Sequence, residues 1–457
     1  VSHLSTTFLA VAAVALGRAI HVNNGFYDPE ALLLLSLSFA LTSAAVVTGR
    51  SAAVAPPEER AVSGGRLGPV IVLAAGLAWQ LATLLTAKPA MYIKFTRPID
   101  LPAFFWGLVG VAILSVLVVV GRSRRLRMGA LALTFAVHAW LGATILRASP
   151  DPRIDVVTVH DEAVNALRTG RSPYSITFEN IYGDSQFYNP ALTSGGRVLF
   201  GLPYPPLSLL MTAPATWLVG DYRYALLAAL IGAGVLIAYA PRHAGPLAER
   251  QAALAALLLL FTPRVFFQIE QGWTEPLLVL LLATTVATAR RAPRLSAPAA
   301  GLLLAVKQYV VVMLPLMPLL WPRQSKPRLA IAAFTATAVT LPFVLWDPTG
   351  FLKSVVLVQL AEPFRVDSLS YVSWMSRHGL VEPRLWITIV AAGAAVALGL
   401  WRLPRTPVAF AAGSALVALA SFAFGKKAFC NYYFFVIAAL VTAVGMNTPA
   451  GPVERRN

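Results

Sequence analysis

Long stretches of this chain contain no Asp, Glu, Lys or Arg, among them 67–87, 101–121, 406–425 and 428–450. An α-helix rises ~1.5 Å per residue, so each stretch is long enough to cross ~30 Å of hydrocarbon. No water inside a bilayer can satisfy the peptide groups, and only helices or closed barrels span it. Continuous apolar runs of this length suit helices. The chain is 57% hydrophobic and only 12% charged, about half the charge density of an ordinary soluble domain. The expected fold is an all-α, polytopic transmembrane helical bundle.

The formal charge of +17 would point to nucleic acid in a soluble protein. Here it fits short arginine-rich loops on the cytoplasmic side of a lipid bilayer, and no nucleic-acid partner is expected. The connectors 49–66 (Arg50, Arg60, Arg66) and 122–127 (Arg122, Arg124, Arg125, Arg127) set that side; 88–100, with Lys88, Lys94 and Arg97, is a mild exception. Both termini, including Arg455 and Arg456, then lie in the cytoplasm, and the polar loops 148–203 and 347–382 lie outside. The first span has no small-residue cleavage motif and reads as a transmembrane helix. Cys430 is the sole cysteine, so no internal disulfide or cysteine metal cluster is expected.

Simple alternation gives fourteen spans but leaves Arg290, Arg291 and Arg294 outside, against the charge rule. If 204–219 and 298–320 are instead half-helices that enter and leave on one side, twelve spans remain with the same ends. Proline at 205, 206 and 214 and Lys307 within an apolar run support that version. Three parts are expected: a four-helix transmembrane module 1–127, a central module 128–346 that includes loop 148–203, and a closing part 347–457.

Ten of the twenty acids fall in the two outer loops. After Asp155, the residues Val156, Val159, Ala163 and Leu167 recur at helical spacing and Gly170 ends the pattern, which predicts an amphipathic helix. Asp155 is either an N-cap or a reactive carboxylate, and Glu162 lies two turns along the same side. Tyr174, Phe178, Tyr182, Phe187 and Tyr188 are rings of the kind that pack on sugar faces, or anchors at the interface. A second surface helix is expected over 350–361.

Within the apolar half, Gln268-Ile269-Glu270-Gln271-Gly272-Trp273-Thr274-Glu275 places two acids and two amides at a helix mouth. Glu270 could pair with Arg264. Lys307 either snorkels to the interface or contacts a phosphate, and its place mid-segment favours the contact. In the second outer loop Lys353, Arg365 and Arg377 are anion-contact candidates. His138, alone in an apolar span, reads as a packed histidine. No metal-ligand spacing, phosphate-binding glycine loop or serine–histidine pair is present.

These residues resemble glycosyltransferase family 87, the polyprenyl-phosphomannose-dependent α-mannosyltransferases of actinobacteria within the GT-C superfamily. The resemblance rests on an outer Asp followed by Ala166-Leu167-Arg168-Thr169-Gly170-Arg171-Ser172-Pro173-Tyr174, then Tyr204-Pro205-Pro206-Leu207, Gly272-Trp273-Thr274-Glu275 and Lys307-Gln308. It covers roughly 128–446. Trp273 and Glu275 stand where amides are often found, and Gln308 where a proline is usual.

The resemblance implies a GT-C bundle of about 12–14 spans with 128–346 as its catalytic module. It implies an inverting transfer of mannose or another hexose or pentose from a polyprenyl-phosphate donor to a glycolipid or glycan acceptor, at the outer face of a bacterial plasma membrane. Asp155 corresponds to the catalytic carboxylate; Lys307, Arg365 and Arg377 are donor-phosphate candidates. Glu162, Tyr174, Tyr204, Glu270, Gln271, Glu275 and Gln308 are substrate-contact candidates. Such chemistry requires no cofactor and no divalent metal. The competing reading is a transporter or flippase for a lipid-linked glycan or a solute. That reading requires acids at the membrane midplane, whereas half of these acids lie in outer loops.

Overall fold

The structure is a computed structural model that describes residues 2–49, 67–95, 99–183, 187–241, 244–380 and 384–447. Arg50, Arg60, Arg66, Arg97, Asp184, Arg455 and Arg456 lie outside the described residues. The fold is all-α, as its charge-free runs require. Seven of its described helices are long and apolar enough to cross a membrane, or eight if a bent pair is one span.

Five helices come first: α1 (His3–Val22), α2 (Pro29–Thr48), α3 (Leu67–Thr86), α4 (Asp100–Val120) and α5 (Arg124–Ala148). Short polar side chains start several of them. Ser2 accepts from Ser5 N–H, Asp28 from Glu30 and Ala31 N–H, and Ser123 from Leu126 N–H. After the outer loop come α7 (Pro206–Val219) and α8 (Arg223–Ala238), bent by 119° at the turn where Gly220 takes φ 80°. Next are α9 (Pro246–Leu260), the short α10 (Val265–Glu270) and α11 (Glu275–Arg291).

The segment 298–320 is interrupted at Lys307. Helix α12 (Ser296–Leu304) stops, Lys307 is extended (φ −156°, ψ 136°), and a 3-10 helix follows over Gln308–Leu319 with Pro315 and Pro318 inside. Trp321 Nε1 donates to Ser296 Oγ at 2.9 Å, which brings the two outer ends together. The pair therefore enters and leaves at one end of the bundle with Lys307 at its tip. The interruption at Lys307 and the 119° bend after α7 fall in the two segments that the twelve-span plan treats as half-helices. Arg290 bonds the Met446 carbonyl and Arg291 those of Tyr239 and Ala240, at the same end as the α4–α5 turn. Asn447 Nδ2 donates to Thr6 Oγ1 at 2.7 Å, so both described ends of the chain meet there.

The remaining helices are α13 (Ser325–Trp346), α14 (Pro348–Ala361, π-helical over Leu352–Leu357), α15 (Tyr371–Arg377), α16 (Leu385–Arg402), α17 (Pro407–Ala423) and α18 (Cys430–Gly445). Helices α9, α17 and α18 are nearly all buried, whereas α13 and α16 bury only a narrow stripe. The alanines and glycine of α17 let neighbouring backbones approach closely. Helix α1 packs on α2, α3 and α18. Gly25 in the α1–α2 turn has φ 78°, and a Cβ there would collide with the Cys430 backbone.

The loop 148–203 opens with α6 (Asp155–Arg168), whose buried side includes Val156, Val159, Ala163 and Val164, close to the predicted stripe. Gly170 ends it at φ 70°. A small antiparallel sheet follows: β1 (Phe178–Glu179), β2 (Thr193–Ser194) and β3 (Arg197–Val198), in the order β1-β3-β2. Phe178 pairs with Val198, and together with Val159, Tyr188, Phe200 and Val358 they form an apolar cluster that joins the loops 148–203 and 347–382.

Candidate active site

Extended Ile154 (φ −142°, ψ 136°) is the N-cap of α6 and makes no side-chain cap, so Asp155 is the first helical residue. The N-cap reading of Asp155 is thereby corrected: Ile154 takes that position, and the Asp155 carboxylate lines a cavity of about 510 Å³ while still drawing on the neighbouring Val156 amide. Two phenols hold it. Tyr188 Oη donates to Oδ2 at 2.6 Å and Tyr182 Oη to Oδ1 at 3.3 Å. Tyr182 stacks on Phe187 at 4.4 Å and Tyr188 meets Phe200 edge-on at 6.0 Å, so the phenols are themselves held. Burial pushes the Asp155 pKa up from the ordinary carboxylate value, the tyrosine bonds pull it down, and nearby Glu362 pushes it up again.

Lys307 Nζ lies 2.5 Å from Glu275 Oε1, 3.2 Å from Thr274 Oγ1 and 4.8 Å from the Tyr204 ring centre. The same Glu275 oxygen accepts from Asn431 Nδ2 at 3.0 Å and Tyr309 Oη at 3.3 Å. Isolated charges at such depth would be costly; this pair is matched and hydrogen-bonded, with Lys307 facing the cavity and Glu275 behind it. Gln308 Nε2 donates to Pro203 O at 2.8 Å, which ties the broken segment to the start of α7.

Arg365 also faces the cavity. Asp367 holds it in a fork (2.8 and 2.6 Å), and its guanidinium lies 4.3 Å from the Phe187 ring centre and 4.8 Å from that of Phe429. Of the residues named from sequence, Asp155, Phe178, Tyr182, Phe187, Tyr188, Tyr204, Gln271, Trp273, Lys307, Gln308 and Arg365 line this one cavity.

The others stand elsewhere. Glu162 is exposed on α6. Tyr174 is buried against Phe343 and Phe351, and its hydroxyl donates to Tyr204 O at 3.1 Å. Glu270 does not pair with Arg264. It accepts from the backbone N–H groups of Met91 (2.5 Å) and Tyr92 (2.7 Å), while Arg264 donates to the carbonyls of Lys88 and His21. Two amide donors satisfy a carboxylate at short range, and here they fasten the α3–α4 loop to the cavity rim. Arg377 donates to Val366 O and lies 4.4 Å from the Tyr27 ring centre, and Lys353 is exposed on α14. Buried His138 packs against Phe261 and Phe266.

The sequence reading missed Lys427 and Glu362. Their side chains form an ion pair that lines the cavity, and both lie close enough to Asp155 for mutual electrostatic influence. Although burial opposes the charge, Glu362 beside it holds the Lys427 pKa above its ordinary value. The available signal was Lys426-Lys427 standing alone between two charge-free runs. Lys426 donates to the carbonyls of Gln359, Leu360 and Glu362, which closes the end of α14. Asn24, Phe26, Met91 and Tyr92, from the α1–α2 and α3–α4 turns, complete the wall. The site thus combines two carboxylates, Asp155 and Glu362, with the side chains of Arg153, Lys307, Arg365 and Lys427 and many aromatic rings in a mostly apolar cavity.

No curated protein matches this chain. The solved structure of ArnT from Cupriavidus metallidurans bound to undecaprenyl phosphate aligns with a TM-score of 0.44 at 18% identity, over 68% of this chain and 59% of that one. The chain therefore spans less than two thirds of that protein. The sequence model of Glycosyltransferase family 87 matches residues 202–425, which include Tyr204, Glu275, Lys307, Gln308, Glu362 and Arg365. Asp155, Tyr182 and Tyr188 precede the match, and Lys427 follows it by two residues. Over residues 202–425, just under half of its length, the chain is similar to Glycosyltransferase family 87, and seven of its described helices are long and apolar enough to cross a membrane.

Proposed function

We propose that the protein is an inverting glycosyltransferase that takes a sugar, mannose or another hexose or pentose, from a polyprenyl-phosphate donor. The observation that carries this reading is Asp155, restrained by Tyr188 and Tyr182, sharing one cavity with Lys307, Lys427 and Arg365. An acceptor hydroxyl attacks the anomeric carbon and gives its proton to the Asp155 carboxylate. The new carbon–oxygen bond forms as the bond to phosphate breaks, and polyprenyl phosphate departs as the anion. A general base within hydrogen-bond reach of the hydroxyl and fixed cations at the departing charge supply what this displacement needs. Tyr204 and the rings of the first outer loop offer flat surfaces to the sugar.

The site is placed at the extracytoplasmic face, with both termini in the cytoplasm of a bacterial cell, because the arginine-rich turns gather at the opposite end of the bundle. The acceptor is a cell-envelope glycolipid or glycan. Residues 1–127 form an added module that contributes two turns to the cavity rim, 128–346 carry the catalytic module, and 347–457 close it. The test compares wild type and Asp155→Asn, reconstituted in lipid, on a set of polyprenyl-phosphate sugars. Transfer should fall by at least ~100-fold in the variant, within the usual range for a general base. Undiminished transfer by a folded variant overturns the assignment of Asp155. Labelled lipid that crosses liposomes with no donor consumed would instead establish transport.

A further inference from the structure

A second concavity lies at the other end of the bundle, between the α4–α5 turn and the start of α9. Helix α5 has 25 residues, so roughly 37 Å of helix separates this concavity from the Asp155 end. It encloses about 540 Å³ and is lined by Arg122, Arg124, Arg127, Gly245, Pro246 and Glu249. Three guanidinium groups therefore face one carboxylate. Glu249 accepts from Arg124 Nε at 2.9 Å and Arg127 at 3.1 Å, which leaves the lining positive.

The donors exceed the acceptors. Arg127 is buried, with a side-chain exposure of 5%; its Nη1 donates to the carbonyls of Gly121 and Arg122 and its Nη2 to Glu249, while its Nε, like that of neighbouring Arg250, has no partner among the described residues. The Arg122 side chain is exposed and makes no hydrogen bond among the described residues. Gly245 is the N-cap of α9 and brings no side-chain cap to its first-turn amides. An uncapped helix start beside arginines favours an anion, and the fork of arginine matches phosphate oxygens.

The surroundings identify the carrier of that anion. Val116 and Val120 on α4 and Leu126 on α5 are exposed apolar side chains that run from the rim along the outer face of the bundle. A phosphate seated among the arginines would extend its acyl chains over that face. We propose that this pocket binds the phosphate of an anionic phospholipid headgroup, a ligand distinct from the donor and acceptor of the Asp155 cavity.

The experiment measures the thermal unfolding midpoint of the purified full chain in detergent, titrated with phosphatidylglycerol, phosphatidylcholine or inorganic phosphate. Arg122→Gln removes a guanidinium that makes no described bond, and Arg122→Gln/Arg124→Gln removes two. Phosphatidylglycerol should raise the wild-type midpoint more than phosphatidylcholine does. Its apparent affinity should weaken about 5-fold per arginine removed. Native mass spectrometry should show phosphatidylglycerol retained by wild type and lost from the double variant. A rise with inorganic phosphate alone, absent from the variants, would keep the phosphate site but assign it to a soluble ligand. Equal stabilisation of wild type and folded Arg122→Gln by phosphatidylglycerol, or no preference over phosphatidylcholine, overturns the proposal.

Discussion

The Tyr188 hydroxyl donates to Asp155 Oδ2 across 2.6 Å, a shorter contact than the 3.3 Å bond from Tyr182 to the other oxygen. Tyr188 reaches the carboxylate from 33 residues away, on a loop braced by the Phe178–Val198 pairing. Its bond favours the ionised form against the burial that opposes it.

Tyr188→Phe should therefore move the acidic limb of the kcat/KM profile to higher pH. A hydrogen bond to a charged group contributes ~1.5–3 kcal/mol, which corresponds to about one to two pH units. Well above that limb, kcat should approach the wild-type value. A uniform loss of activity at every pH would show that Tyr188 acts only in packing.

Asp155→Asn should fold at least as stably as wild type at neutral pH. Burial raises the folded-state pKa of Asp155 above the ordinary carboxylate value, so the folded state binds the proton more tightly. That contribution is present at low pH and is lost as pH rises from the ordinary carboxylate range through the raised value. The advantage of the variant should therefore shrink below about pH 4. Unfolding midpoints measured across pH in detergent check the sign.

Glu275→Ala should destabilise the protein by about 3–5 kcal/mol, because it leaves buried Lys307 without a counter-charge. The side chains of this pair are 6% and 0% exposed, so solvent offers little relief. Glu275→Gln/Lys307→Met should recover much of the loss while donor turnover stays low. A double-mutant cycle with no coupling would contradict the pairing.

Lys427→Gln should raise the KM for the donor and leave Glu362 with a weakened partner. Both side chains are about one-fifth exposed, so the stability cost should be smaller, ~1–2 kcal/mol. Glu362→Gln added to Lys427→Gln should restore the unfolding midpoint without restoring donor binding. Recovery of both would make the pair a purely structural tie.

Glu270→Ala should free the α3–α4 loop, since two amide donors lose their shared acceptor. Hydrogen exchange at Met91 and Tyr92 should accelerate about 10-fold or more, given ~1.5–3 kcal/mol for bonds to a charged group. Unchanged exchange would show that other contacts hold the loop.

The sequence by itself determined the all-helical, membrane-spanning character, because long charge-free runs leave the backbone no other way to satisfy its polar groups in hydrocarbon. It also marked Asp155, Tyr204, Lys307 and Gln308, since an acid, a lysine or paired prolines in an apolar context has few inexpensive explanations. Helical spacing shows which side chains share a face, but not which face meets which. Glu270 and Glu275 are five residues apart at one helix mouth, yet one fastens a distant loop and the other neutralises Lys307. Only the tertiary structure decided those partners, carried Tyr188 and Lys427 to the Asp155 cavity, and broke the helical segments at Lys307 and between α7 and α8. Those outcomes depend on electrostatic matching and packing between residues far apart in the chain, which local pattern does not encode.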